Sequence, residues 1–184
     1  VFGAGGVMDA FLVAFKIPNF LRRLFAEGAF SQAFVPVLSE YKTTKTHEEV
    51  QILISRVSGS LMLILGVITT FSVVAAPLVI YVFAPGFHGQ EAKFNLAVDL
   101  LRLTFPYLFL ISMTALAGSV LNSYGSFATA SFAPVLLNMT MIAAAWWLAP
   151  MMQEVFHSQP VMALGWGVMA AGFLQLAIQI PELW

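Results

Sequence analysis

The chain has 184 residues and a net charge of −1; 60% of its residues are hydrophobic, 9% are charged, and its mean hydropathy is +0.88. Since a soluble domain carries about 25% charged residues, a core of this size cannot hide so much apolar surface, and lipid must solvate part of it. The charge argues against a general nucleic-acid-binding surface, and the lack of cysteine excludes disulfides and thiolate metal sites.

Apolar segments follow one another along the chain, each long enough for the roughly 20 residues that a helix needs to cross a bilayer. There are five of them, at 7–39, 52–83, 95–122, 132–149 and 161–180. They lack the alternation of lipid-facing and lumen-facing residues that is typical of a transmembrane barrel. The sequence therefore predicts an all-α polytopic membrane helical bundle with five transmembrane helices. Because the chain starts at Val1 rather than Met, we expect it to be a fragment of a longer gene product.

The positive charges of the loops indicate an orientation. Lys42 and Lys45 lie in the first loop, on the same predicted side as the loop at 122–131, whereas Lys93 lies on the opposite side. Since cytoplasmic loops carry the excess of Lys and Arg, this places the Lys42 loop, and with it Trp184, in the cytoplasm.

Small residues recur at a spacing of four in the later segments. Such a spacing lets helix backbones approach closely in lipid, and it predicts a helix-packing interface. The residues are Ala115 with Ser119, Gly118 with Asn122, and Ala163 with Gly167 and Ala171.

Ionisable residues lie among apolar neighbours in the first segment. They are Asp9, Lys16, Arg22, Arg23 and Glu27. At about 100° per residue of a continuous helix, all of them except Arg22 fall within about 40° of one another. Arg22 falls about 100° from Arg23. A kink or local unwinding at Pro18 would rotate the second half of the segment against the first and bring Arg22 toward this face.

Each charge at bilayer depth costs about 2.5–3.5 kcal/mol on the insertion scale. One interpretation is structural: Asp9 and Lys16 snorkel to an interface, and Arg23 pairs with Glu27. The functional interpretation is a hydrated cavity whose cations receive an anion, because the arginine fork donates two parallel hydrogen bonds to phosphate. In such a cavity, Asp9 and Glu27 are expected to pair with the cations of the same segment when the site is empty.

Other chemistry finds no support in the sequence. His47, His88 and His157 lie far apart in predicted loops, so we expect no metal site. The run at 3–6 is not a dinucleotide fingerprint, and no hydrolase or zinc-protease motif occurs. We therefore expect no cofactor and no enzymatic activity.

Several runs of the sequence resemble a known family. The longest, at 9–36, reads DAFLVAFKIPNFLRRLFAEGAFSQAFVP, and shorter ones are APGF at 84–87, LRLTFP at 101–106 and APVLLN at 133–138. They closely resemble the MurJ (MviN) lipid II flippase family of the multidrug/oligosaccharidyl-lipid/polysaccharide exporter superfamily. The similarity extends over the whole chain. Relatives often have a basic residue where Ser126 stands and a proline where Ala130 stands.

The resemblance implies two six-helix lobes around a cationic central cavity. The five segments then correspond to the second to sixth helices of the N-lobe, with the first helix and the C-terminal lobe absent. The implied activity is the transfer of lipid II, the undecaprenyl-pyrophosphate-linked peptidoglycan precursor, across the bacterial inner membrane by alternating access. The full-length protein is expected to be monomeric and surrounded by membrane lipids. The implied substrate-binding residues are Arg22, Arg23, Lys16, Asp9 and Glu27.

Three alternatives compete with this interpretation. Another exporter of the superfamily, moving polysaccharide-lipids or drugs, is the first, although a cationic drug favours acidic cavity residues over an arginine pair. A membrane-embedded polyprenyl-phosphate enzyme is the second, but Asp9 and Glu27 lie about 27 Å apart along a helix, too far to share a metal-bound phosphate. A purely structural subunit is the third, and an uncharged stripe would suffice for it.

Overall fold

The computed structural model describes residues 5–23, 29–155 and 159–183. Within these ranges the chain forms nine α-helices and no strand. The helices are α1 (Gly6–Arg22), α2 (Ala29–Thr44), α3 (His47–Val74), α4 (Ala76–Phe83), α5 (Glu91–Thr104), α6 (Pro106–Ser123), α7 (Ala128–Ala143), α8 (Ala149–Glu154) and α9 (Met162–Ala177). A π-helical turn, Ala144–Leu148, joins α7 to α8. The all-α membrane bundle predicted from the sequence is confirmed.

Local sequence signals explain where several helices begin. Thr46 and Glu49 form a capping box at the start of α3: the Thr46 hydroxyl accepts from the Glu49 N–H at 3.3 Å, and the Glu49 carboxylate accepts from the Thr46 N–H at 3.0 Å. Proline occupies the first turn of α4 and of α6. Backbone N–H groups in the first turn have no acceptor within the helix, so the N–H that proline lacks costs no helical hydrogen bond. In α1, by contrast, the helix continues through Pro18.

Four helices in the described ranges are long and apolar enough to cross a membrane. They are His47–Val74, Glu91–Ser123, Ser131–Glu154 and Met162–Glu182, and they coincide with the second to fifth predicted segments. The predicted count of five is not confirmed: of the first segment the structure describes α1, with 17 residues, and α2, with 16, while residues 24–28 between them lie outside the described ranges.

Polar contacts define the two ends of the bundle. At one end, the Lys42 ammonium donates to the Ser123 carbonyl and lies 3.8 Å from the centroid of the Tyr124 ring. At the other end, the Lys93 ammonium lies 2.9 Å from an Asp9 carboxylate oxygen. The structure thus brings the Lys42 loop and the α6–α7 loop to the same end, as the sequence predicts, and Lys93 to the opposite end.

The small residues of α9 form the predicted helix-packing interface. Ala163, Gly167 and Ala171 are buried, and a Cβ atom on Gly167 would lie 2.8 Å from the Cβ of Ala144 and 3.2 Å from the Thr140 carbonyl oxygen. This contact lets α9 approach the end of α7 closely. The small residues of α6, Ala115, Gly118 and Ser119, instead line a cavity.

Candidate functional site

A cavity of about 510 Å³ lies between α6, α7 and α9, next to α2 and the end of α1. Its wall is largely apolar, and we call it the polar cavity for the polar side chains that also line it. Its α6 lining residues run from the middle of the bundle toward Asn122, so the cavity lies in the half of the bundle nearer to Lys42. Its polar lining includes Arg22, Thr114, Ser119, Asn122, Gln175 and Gln179. Among the lining residues that the structure describes, Arg22 is the only charged one.

The end of α1 positions Arg22 beside this cavity. Arg22 is the last residue of α1, and its Nε donates to the Asn19 side-chain oxygen at 3.0 Å, one turn earlier. The side chain is half-buried. A guanidinium held in this way keeps a fixed positive charge next to the neutral polar groups of the cavity wall.

Two glutamines on α9 contribute amide groups to the wall, and both are only 1% exposed. Gln175 Nε2 donates to the Ala133 carbonyl at 2.6 Å, and its Oε1 accepts from the Tyr107 hydroxyl at 3.4 Å. One turn later, Gln179 Oε1 has no hydrogen-bond partner in the part of the chain that the structure describes. Gln175 therefore links α6, α7 and α9, whereas the Gln179 acceptor is buried without a partner among the described residues.

Lys16 does not share this cavity with Arg22. It lies at a second cavity, also of about 510 Å³, whose other lining is mostly apolar and includes Phe20, Phe83 and Phe105. Ser72 on α3 is a further polar lining residue there. The two cations of α1 thus belong to different cavities.

Asp9 has a partner that was not predicted from the sequence. It was expected to pair with cations of its own segment, but its carboxylate pairs with Lys93 at the start of α5. Asp9 lies seven residues, or about 10 Å, from Lys16 along the helix, so Lys93 from the neighbouring helix is the closer partner. Asp9 therefore lies at the end of the bundle opposite to the polar cavity.

The ionisable residues that the sequence places on one face of the first segment meet different neighbouring helices in the structure. Arg23, which the helical spacing favoured, is exposed and lines neither cavity, whereas Arg22 lines the polar one. Glu27 lies outside the described residues. Spacing along one helix gives the relative direction of side chains, but it does not reveal which neighbouring helix each side chain meets.

Gln175 and Gln179 are site residues that were not predicted from the sequence, and Asn122 was predicted only as a packing residue. A signal for the glutamines was present: two amides four residues apart occupy one face of an otherwise apolar segment. Polar side chains at membrane depth usually face the bundle interior or a water-filled cavity.

Comparisons with known proteins agree on one family. The family described as "Lipid II flippase MurJ" matches residues 1–184. The lipid II flippase MurJ of Burkholderia cenocepacia is 47% identical over 182 residues, which is 99% of this chain and 34% of that protein. The probable lipid II flippase MurJ of Vibrio cholerae is 45% identical over 188 residues, covering 98% of this chain and 35% of that protein.

A solved structure is also similar. A lipid II flippase MurJ in an inward closed conformation superposes with a TM-score of 0.72 and 29% identity, covering 96% of this chain and 36% of the other. The chain therefore spans about a third of the length of the relatives it matches.

Proposed function

This chain belongs to the lipid II flippase MurJ family, and we propose that it forms most of the N-terminal lobe of a bacterial inner-membrane lipid II flippase. The full-length protein then moves the undecaprenyl-pyrophosphate-linked precursor across the membrane by alternating access. Such transporters commonly rock one bundle against another around a shared site. The first helix and the second lobe belong to the rest of that protein, which acts as a monomer.

The observation that carries this proposal is the position of Arg22 at a polar cavity within the helical bundle. A pyrophosphate needs cations with directed donors, and a guanidinium supplies two parallel N–H groups. An arginine at membrane depth is costly unless it faces water or an anion. We assign the main pyrophosphate contact to Arg22. Lys16 and Arg23 add positive charge along the substrate path.

The charge of the cavity distinguishes this function from the alternatives. A cationic drug needs acidic groups, and the described residues that line the polar cavity include none. A polyprenyl-phosphate enzyme needs carboxylates near a metal-bound phosphate. Asp9, the carboxylate of α1, pairs with Lys93 at the other end of the bundle.

Variants of the full-length protein test the proposal in cells depleted of their own flippase. Arg22→Ala removes the guanidinium with its two parallel donors and its charge. It is expected to reduce precursor export at least tenfold, because the loss of one charge-assisted hydrogen bond changes an equilibrium by roughly that factor. Arg22→Lys keeps the charge and is expected to retain more export than Arg22→Ala. The measurement combines protein level with exposure of the precursor at the periplasmic face.

Arg23→Ala is the matched control, because Arg23 is the adjacent arginine but is exposed outside both cavities. We expect it to reduce export less than Arg22→Ala does. Normal export by Arg22→Ala at normal protein level would contradict the assignment of the pyrophosphate to Arg22.

A further inference from the structure

The ion pair between Asp9 and Lys93 connects two helices that are distant in the sequence. The two residues are 84 positions apart, and the Lys93 ammonium lies 2.9 Å from the Asp9 carboxylate. The pair between Arg102 and Asp99, at 3.7 Å, lies within α5 and spans one turn. A pair within one helix supports that helix alone, whereas a pair between two helices fixes where they meet. The Asp9–Lys93 pair therefore defines how the beginning of α1 lies on α5.

Lys93 is the fixed member of this pair. Its side chain is 19% exposed, compared with 58% for Asp9. Its ammonium lies 4.4 Å from the centroid of the buried Phe87 ring, and a cation is attracted to the face of an aromatic ring. Its aliphatic stem passes Gly6, where a Cβ would lie 3.4 Å from the Lys93 Cδ. These contacts hold the ammonium, which in turn orients the more exposed carboxylate.

The other contacts between α1 and α5 fix the register of the two helices less well. α1 packs mainly against α5, and its buried face includes Ala10 and Ala14. Such small residues let helix backbones approach closely, but they offer little side chain to interlock. The Thr104 hydroxyl donates to the Leu100 carbonyl at 2.8 Å and reaches the Ala14 carbonyl only at 3.5 Å. Since ionic and polar groups between packed helices can fix register, we expect it to depend on Lys93.

The two helices that Lys93 joins carry different parts of the candidate site. α1 is continuous from Gly6 to Arg22, so the helix that begins beside Lys93 ends at the polar cavity. α5 continues into α6 as one membrane span, Glu91–Ser123, and α6 forms one wall of that cavity. If the lobe moves during transport, the cavity stays intact only when α1 and α5 move together.

We propose that Lys93 is a positioning residue for transport, which keeps the beginning of α1 on α5 so that both helices move as one body. The inference rests on the proposed function, because it requires alternating access. Lys93 lies at the end of the bundle opposite to the polar cavity and does not contact the pyrophosphate there. Asp9 acts as the partner of Lys93.

Export by variants of the full-length protein tests this role in cells depleted of their own flippase. Lys93→Met keeps the stem beside Gly6 but removes the charge. It is expected to reduce precursor export about threefold to fivefold at normal protein level, because a partly exposed ion pair contributes roughly that factor to an equilibrium. Lys93→Arg keeps the charge and is expected to export within about twofold of wild type. Arg102→Met is the matched control, since Arg102 is a basic residue of α5 whose partner lies in α5, and normal export is expected.

A double variant shows whether the two residues act through each other. Asp9→Asn is expected to reduce export as much as Lys93→Met does. Combining the two substitutions is expected to cause no further loss, because both remove the same interaction. Asp9 is more than half exposed, so Asp9→Asn also provides a variant if Lys93→Met does not accumulate.

Two measurements on purified protein separate positioning from ligand binding. Lipid II binding by Lys93→Met is expected to stay within about twofold of wild type, because Arg22 lies about 20 Å along α1 from Asp9 and is untouched. Amide hydrogens in the first turns of α1 are expected to exchange about threefold to fivefold faster in Lys93→Met, because this end of the helix opens more easily.

The opposite results would overturn the proposal. Normal export by Lys93→Met, or unchanged exchange at the start of α1, would show that the pair does not hold the helix. Losses that multiply in the double variant would give Asp9 and Lys93 separate roles, and a tenfold loss of lipid II binding in Lys93→Met would place Lys93 at the ligand. A wild-type protein that exports no precursor would overturn the proposed function, whereas exchange in Lys93→Met would still report on the contact itself.

Discussion

Single residues connect helices that are distant in the sequence. Lys93 is an example: its ammonium pairs with Asp9 at 2.9 Å and lies 4.4 Å from the centroid of the Phe87 ring. Its aliphatic stem passes the start of α1, where a Cβ on Gly6 would lie 3.4 Å from the Lys93 Cδ. One lysine therefore joins the beginnings of α1 and α5 at one end of the bundle, which the count of loop charges alone could not show.

Gly167 is predicted to be intolerant of even one added methyl group. An Ala side chain there would meet the Cβ of Ala144 at 2.8 Å and the Thr140 carbonyl oxygen at 3.2 Å, and neither atom can move away as a flexible side-chain end could. We expect Gly167→Ala to destabilise the full-length protein by about 1–3 kcal/mol, measured as a lower Tm in detergent.

Gly66→Ala is the control for this prediction. Gly66 also lies inside a helix, but a Cβ there meets nothing within 4 Å. The alanine is expected to be neutral or to stabilise by about 0.5–1 kcal/mol, because glycine loses more backbone entropy in a helix. An unchanged Tm for Gly167→Ala would show that α7 and α9 do not pack as described.

At the level of elements, a carboxylate from beyond α9 fixes the start of α7. Glu182 accepts from the Ser126 hydroxyl at 2.6 Å and from the Thr129 hydroxyl at 2.8 Å. The residue that precedes α7, Phe127, makes no side-chain cap. A negative charge near the N-terminus of a helix is also favourable to the helix dipole.

Removing this carboxylate is expected to loosen the first turn of α7. In Glu182→Ala, amide hydrogens at the start of α7 should exchange about tenfold faster than in wild type, because local opening becomes easier. Glu154→Ala, at the exposed end of α8, is expected to leave that exchange unchanged. Equal exchange in the wild type and in Glu182→Ala would contradict a stabilising role for Glu182.

The sequence predicts the later helices better than the first two. The segments from 52 onward are long apolar runs, and length and hydropathy alone locate them. In the first segment, α1 and α2 lie on either side of residues 24–28, which are outside the described ranges, and Pro18, the expected site of disruption, lies within α1. The choice between Arg22 and Arg23 depends on where α6, α7 and α9 pack, and the pattern within one segment does not contain that information.

At the scale of the whole molecule, the two ends of the bundle are predicted to face different compartments. The end with Lys42 is expected to be cytoplasmic and the end with Lys93 periplasmic. Single cysteines replacing Thr44 and Gln90, both exposed, report on the two ends in an otherwise cysteine-free full-length protein.

An impermeant thiol reagent added to intact spheroplasts is expected to label position 90 and not position 44. Opening the membrane with detergent is expected to expose both positions, which controls for reactivity. Labelling at 44 but not at 90 in intact spheroplasts would reverse the orientation.

Photo-crosslinking tests most directly whether the precursor enters the polar cavity. A photoreactive phenylalanine derivative replaces Asn122, an exposed residue that lines the cavity, or, as a control, Val67, an exposed apolar residue of α3 outside that cavity. In cells that make the full-length protein, illumination is expected to attach lipid II at position 122 and not at position 67. Absence of the adduct at 122, or equal adducts at both positions, would contradict the claim that this cavity receives the precursor.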